Sequence, residues 1–507
     1  MSNLGRLIIL GIVGLLLSGI SRSAQSAVEP YVEIELERLE TTYALLDAYA
    51  EEIWPGWRNY RDVEFLVQFP NAVYLLVNPR NEAPPGYRAL PGRELGGRNV
   101  FINREGQLPL TIKPPLLGGG GPVGGRIHIR LEQRKNSTNA KRSFISSETQ
   151  ILMYIHELFH CFQECVWEGR RDALGDRYFP PNAAVAAYSE IEGEALLRAL
   201  KAEKRSEAEA FLRDYLTARE IKQKYVEPSE GKFERYKLVA EGTAQYAQIK
   251  AALIVRENGL NGSARKRKDP YFFGFGQLDE YLAEEMGGRM NSVKGETSAG
   301  WIRCYLYGLY QCLILDRLTP GWKKGYLESG RSLDEELGST IPSGSLEEEI
   351  FDDRCRSIYH FDDLYVKHRS AIRDIDRAVE QIKERKGTKY VIDLERTKDF
   401  FDLKPRGQYF RLGREEIFLN GFEDLTLGGI ELSSADTPLV RPWTWGIEWV
   451  DTESRDGERR FELEWREKRG DVYMGLVLKT AGFTLRAPEA RILESPNSIR
   501  VIVLRKA

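Results

Sequence analysis

Ile151-Leu152-Met153-Tyr154-Ile155-His156-Glu157-Leu158-Phe159-His160 is the stretch on which the reading of this chain turns. No Gly or Pro interrupts it, and its mostly apolar character predicts a helix. Residues four apart share one helix face, so His156 and His160 present two imidazoles one turn apart. With that spacing two ligands grip one zinc ion, and Glu157 stands beside the first, where a carboxylate reaches a water on the metal. The chain has five histidines. A chance pair at this spacing, followed by an acid, is expected less than about once in a hundred such chains. The competing reading is a buried, aromatic-rich helix with two hydrogen-bonded core histidines.

A length of 507 residues is too great for one core and predicts roughly two to four domains. At 42% hydrophobic and 29% charged residues, the chain has the composition of a soluble globular protein. Lys and Arg total 73 against 76 Asp and Glu, a net charge of −3. No basic excess points to nucleic acid, and no acidic tail points to a basic partner.

Arg6 precedes an apolar run from Leu7 to Leu17, and small polar residues lead from Ser18 to Ala27. That is the layout of a signal peptide over 1–27, cut after Ala27 or, second, Ala24. It predicts export, to a periplasm or the outside, with no stable membrane span after cleavage. The alternative is an uncleaved N-terminal anchor, for which the apolar run is short. The cysteines are Cys161, Cys165, Cys304, Cys312 and Cys355. An odd count in an exported protein leaves at least one unpaired. Cys161 and Cys165 follow the His pair closely, but Cys161 points off its face, and packing as small hydrophobes is the better reading.

Along the chain, residues 31–53 read as an amphipathic helix closed by Trp54-Pro55-Gly56-Trp57. Short β runs follow at 63–69, 72–77, 99–102 and 126–131. Between the last two, the glycines of 118–125 read as a mobile loop at a cleft edge, because no Lys-Ser/Thr end marks a phosphate loop. Helical patterns occupy 149–168, 183–205, 206–222, 230–256, 277–285, 298–317 and 360–386. After Gly387 short alternating runs recur about every ten residues, the signature of a small antiparallel β-sandwich. The expected fold class is therefore multidomain α+β: a small N-terminal α/β domain over 28–148, a helical zinc domain over 149–387, and a C-terminal β-sandwich over 388–507.

A catalytic zinc takes three protein ligands and leaves one position open. His128, His360 and His368 stand in strand or charged contexts, so a carboxylate is the better third ligand. Glu192, in Glu192-Gly193-Glu194-Ala195, lies on an apolar helix face 32 residues past His160. Glu241, in Glu241-Gly242-Thr243-Ala244-Gln245-Tyr246, borders the stripe Leu238, Gly242, Tyr246, Ile249 and Leu253, 81 residues past His160. Either carboxylate needs a partner if buried, and Arg213, Arg219 and Arg235 are alternatives to a metal. Gly242 costs helix stability, which a close helix approach would justify.

His156-Glu157-x-x-His160 followed by Glu-Gly-x-Ala-x-Tyr resembles the gluzincin branch of zinc metallopeptidases, the thermolysin and aminopeptidase superfamily. The resemblance covers roughly 30–385. It implies zinc held by His156, His160 and Glu241, with Glu157 as general base hydrolysing peptide bonds through a zinc-activated water. The gap to Glu241 is longer than the family's usual spacing, which keeps Glu192 open as third ligand or as a carboxylate behind the histidines. The family's oxyanion-stabilising residue comes from a further helix. Here Tyr305 or Tyr307, beside Gly308, stands in that position, with aromatic packing as the alternative. The expected function is that of an exported zinc metallopeptidase acting on a peptide or protein. The rival is a non-catalytic, zinc-containing exported interaction protein on the same scaffold.

Overall fold

The computed structural model describes residues 29–69, 73–79, 85–104, 116–123, 126–133, 146–167, 181–259, 269–272, 274–275, 302–341, 348–384, 388–393, 409–412, 415–418, 422, 425–427, 430–434, 439–443, 446–451, 461–481, 483–495 and 498–504. The signal segment 1–27 and the helix expected at 277–285 lie outside them. The fold mixes helices with two mixed sheets.

The helices are α1 (Pro30–Ile53), α2 (Ser147–Val166), α3 (Ala183–Lys201), α4 (Arg205–Gln223), α5 (Pro228–Asn258), α6 (Ile302–Leu318), α7 (Tyr326–Ser329), α8 (Leu333–Gly338), α9 (Glu348–Tyr359) and α10 (Phe361–Lys383). Two compact units divide the chain. One comprises Met1–Asp172, Tyr236–Met290 and Cys304–Thr340; the other comprises Ala173–Arg235, Asn291–Arg303 and Ile341–Ala507. The boundary expected between 148 and 149 falls inside the first unit.

In the first unit, α1 opens on Pro30, where a missing N–H is harmless. Strands β1 (Glu64–Gln68), β2 (Tyr74–Val77), β3 (Arg88–Leu95), β4 (Arg98–Asn103), β5 (Leu116–Val123) and β6 (Arg126–Gln133) form one sheet in the order β3-β4-β2-β1-β6-β5. β1 runs antiparallel to β2, with Phe65 opposite Val77, and parallel to β6, with Phe65 opposite Ile127. Two readings need correction. The glycine-rich segment expected as a mobile loop is strand β5, paired from Leu116↔Gln133 to Val123↔Arg126. β3, which contains Pro91 and Gly92, went unread. Both are the outermost strands, where a Pro need not donate to a second neighbour. β3 also shifts register between Ala89 and Glu94.

Helix α2 starts at Ser146, whose hydroxyl accepts from Thr149 N–H. It lies against α1, β5 and β6. Buried polar bonds fix its N-terminal half. Tyr154 donates to Glu35, Arg38 Nε donates to Ser147 Oγ at 3.0 Å, and Ser147 donates to Asp269. An aromatic cluster fixes the opposite face. Phe159 meets Trp54 and Trp57 edge-on, each at 5.1 Å between centroids, and Trp54 also meets Trp322 at 5.4 Å and Tyr246 at 6.1 Å. Removing such a buried ring costs about 3–5 kcal/mol. α2 is thus held against rotation, and its histidine face is held with it.

In the second unit, α3 is capped by Asn182, which accepts from Ala184 and Val185 N–H. It forms a hairpin with α4, and α9 and α10 lie against it. α9 went unread, because its flank Glu347-Glu348-Glu349 looks like a solvated face. Asp214 is buried and accepts two bonds from Arg354, at 2.7 and 2.6 Å, and one from Tyr359 at 2.7 Å.

The second sheet contains β7 (Thr388–Asp393), β8 (Tyr409–Leu412), β9 (Glu415–Phe418), β10 (Leu425–Leu427), β11 (Ile430–Ser434), β12 (Leu439–Trp443), β13 (Gly446–Asp451), β14 (Glu462–Glu464), β15 (Glu467–Arg469), β16 (Val472–Lys479), β17 (Phe483–Ser495) and β18 (Ser498–Val503). Hydrogen bonds join all twelve into one sheet. Its pairs are antiparallel except β18 with β7, so the expected wholly antiparallel arrangement is corrected at that pair. Tyr390, Ile392, Leu485, Ala490 and Val501 are among its buried core. β17, the longest strand among the described residues, went unread because Pro488 and four charged residues interrupt its alternation.

Candidate metal centre

His156 and His160 lie on α2 as the spacing predicts, their rings 4.7 Å apart between centroids and nearly perpendicular. Glu241 reaches them from α5. Its Oε2 lies 3.7 Å from His156 Nε2 and 3.3 Å from His160 Nε2. Four-coordinate zinc, with bonds near 2.0–2.2 Å, sets its ligand atoms about 3.3–3.6 Å apart. Among the described residues these three form the one group of His, Cys, Asp and Glu ligands that converges, all within 4.8 Å of one another.

The hydrogen bonds around His160 orient its ring. Gln163, one turn further along α2, donates through Nε2 to Ala240 O at 2.8 Å and to Thr243 Oγ1 at 2.6 Å. Thr243 in turn donates to Val239 O at 2.7 Å. The Gln163 amide is therefore oriented with Oε1 toward His160 Nδ1, 2.8 Å away. Nδ1 donates there, which turns Nε2 toward Glu241. Burial raises the Glu241 carboxyl, but the adjoining imidazoles, His160 foremost, hold it well below the usual carboxylate range. It is an anion at neutral pH. Its second oxygen, Oε1, accepts from Lys237 Nζ at 3.1 Å. Gln163, Thr243 and Lys237 were missed in the sequence, although helical spacing from His160 and Glu241 pointed to the first and last.

Glycines set the approach of α5 to α6. A Cβ built on Gly242 would stand 2.5 Å from Gly308 Cα, and one on Gly308 would stand 2.6 Å from Leu238 O. The backbones touch, which explains both glycines. The same crossing brings Tyr305 over His156, the rings stacked 5.8 Å apart at 15°. Tyr307 is fully buried. Gly308→Ala is expected to push the two backbones apart, since neither contact is a side chain that can swing away. Overpacking of this kind costs about 1–3 kcal/mol. It should lower the thermal midpoint and weaken zinc binding together, because Glu241 adjoins Gly242. An unaltered midpoint would show that the helices do not touch there.

Glu157 is buried beside His156. Glu192 is not in the converging group. Its carboxylate accepts from Lys222 Nζ at 2.6 Å and pairs with Arg219 at 3.6 Å, the core salt bridge that was its competing reading. His128 meets Gln68, and His368 meets Glu190. None of the five cysteines is in a disulfide; Cys161 is buried, and Cys165 accepts from Asn59 Nδ2 at 3.3 Å. Among the described residues no helix is long and apolar enough to cross a membrane. Neither family models, nor curated proteins, nor solved structures offer a match to the chain.

Proposed function

We propose that this chain is an exported, gluzincin-like zinc hydrolase that cleaves peptide bonds in a peptide or protein substrate. The observation that carries the reading is the convergence of three ligand atoms. His160 Nε2 and Glu241 Oε2 face each other at 3.3 Å, with His156 Nε2 beside them. Two imidazoles and one carboxylate suit zinc and leave its fourth position open.

When bound, zinc supplies Lewis acidity toward a carbonyl oxygen and toward water. Glu157, next to His156, takes the proton of the attacking water and returns it to the leaving amine. The Tyr305 hydroxyl, on a ring held by the His156 stack, donates to the carbonyl oxygen as charge builds there. Gln163 keeps His160 Nε2 aimed inward throughout. In this reading 1–27 is a cleaved leader, 28–148 and 149–387 form the catalytic part, and 388–507 is an accessory β-sandwich. Nucleic acid is no part of the reading.

Zinc content and cleavage of a mixed peptide library test it. The intact chain is expected to carry one zinc and to cleave. Glu157→Gln is expected to keep its zinc and lose activity by about 10²–10⁴-fold, the usual worth of a general base. Full activity in Glu157→Gln would remove this mechanism. Zinc without any cleavage in the intact chain would favour a non-catalytic role.

A further inference from the structure

We infer that Lys237 is a positioning residue that makes Glu241 a one-oxygen ligand; the inference rests on the metal-centre reading above. The two oxygens of Glu241 have different neighbours. Oε2 is turned to the imidazoles and carries no hydrogen bond. Oε1 accepts from Lys237 Nζ at 3.1 Å. A carboxylate that binds through both oxygens must turn both toward the ion, and the Lys237 ammonium holds one of them away.

Helix stability does not account for this lysine. Lys237 and Glu241 are four apart with the cation first, the weaker order for such a pair, and even the better order is worth only about 0.2–0.5 kcal/mol. Nor is Lys237 a solvated surface charge, since its side chain is only 14% exposed. A part-buried ammonium needs partners, and Glu241, the carboxylate that reaches the histidines, is one of them. Restricting Glu241 to one oxygen keeps the coordination number low, so that a position stays open for water or substrate.

Cobalt(II) in place of zinc reads coordination number directly through its visible absorption. The cobalt form of the intact chain is expected to show the intense band of a four-coordinate site. In Lys237→Met, Glu241 is free to bind through both oxygens, and the band is expected to lose intensity as coordination rises to five. Lys237→Arg, which restores a cation able to hold Oε1, is expected to recover the original spectrum. A Lys237→Met spectrum identical to that of the intact chain overturns the proposal, whatever the cobalt affinity does. Loss of the band in both variants overturns it too, because the charge at 237 would then not be what positions Glu241. If the intact chain binds no cobalt or zinc, the metal-centre reading itself fails.

Discussion

Glu241→Gln is expected to purify without zinc, while Glu192→Gln, prepared in the same way, is expected to retain one ion per chain. Both substitutions keep the size of the side chain and remove one negative charge. In Glu241→Gln that charge is the one facing His156 Nε2 and His160 Nε2 at 3.7 and 3.3 Å. A neutral amide is a poor zinc ligand. Changes merely behind a ligand already cost about 10–100-fold in affinity, so loss of the anionic ligand should cost at least that. His156→Ala should behave like Glu241→Gln. Glu192 has its charge committed to Lys222 and Arg219, so Glu192→Gln should show a stability loss without a zinc loss. Metal analysis beside a thermal melt separates the two. Zinc retained in Glu241→Gln but lost from Glu192→Gln would reverse the choice of ligand.

Lys222→Met is expected to destabilise the protein by about 3–5 kcal/mol, the cost of removing one partner from a buried ion pair. Lys222 is wholly buried and donates to Glu192 at 2.6 Å and to Glu234 at 2.8 Å. Burial raises both carboxyls. Glu234 nonetheless stays well below the usual carboxylate range, because Lys222, Arg219 and Arg303 surround it. With Lys222 gone, two buried carboxylates lose their shared hydrogen-bond donor. Denaturant unfolding measures the loss. Adding Glu192→Gln to Lys222→Met should recover part of it, since one of the two stranded charges is then removed. A double variant no more stable than Lys222→Met alone would show that the two groups do not share a site.

Elements with a strong period were legible before any tertiary contact was known. α1 and α2 begin and end within a few residues of the expected bounds, and so do α3 and α4. The α2 segment carries its own cap, an uninterrupted apolar run and the His156/His160 spacing. β3 and β5 were not legible, because Pro and Gly argue against a strand wherever both neighbours must be paired. Only the sheet order reveals that each has a single neighbour. β17 failed for a related reason: its charged residues and Pro488 mask a thirteen-residue strand whose buried positions are apparent only beside β11, β16 and β18.

The candidate site divides along the same line. Two imidazoles and an adjacent acid on one helix face are a local property, determined by 3.6 residues per turn, and the sequence alone determined them. Choosing between Glu192 and Glu241 was beyond it, because both lie on apolar helix faces and both need a partner. The choice depends on which cation each carboxylate meets, and a chain hundreds of residues long brings those groups together only by folding. Tertiary structure decided that Glu192 meets Lys222 and that Glu241 meets the imidazoles. It did so through a crossing of α5 and α6 that is close enough only because Gly242 and Gly308 have no side chains to hold the backbones apart.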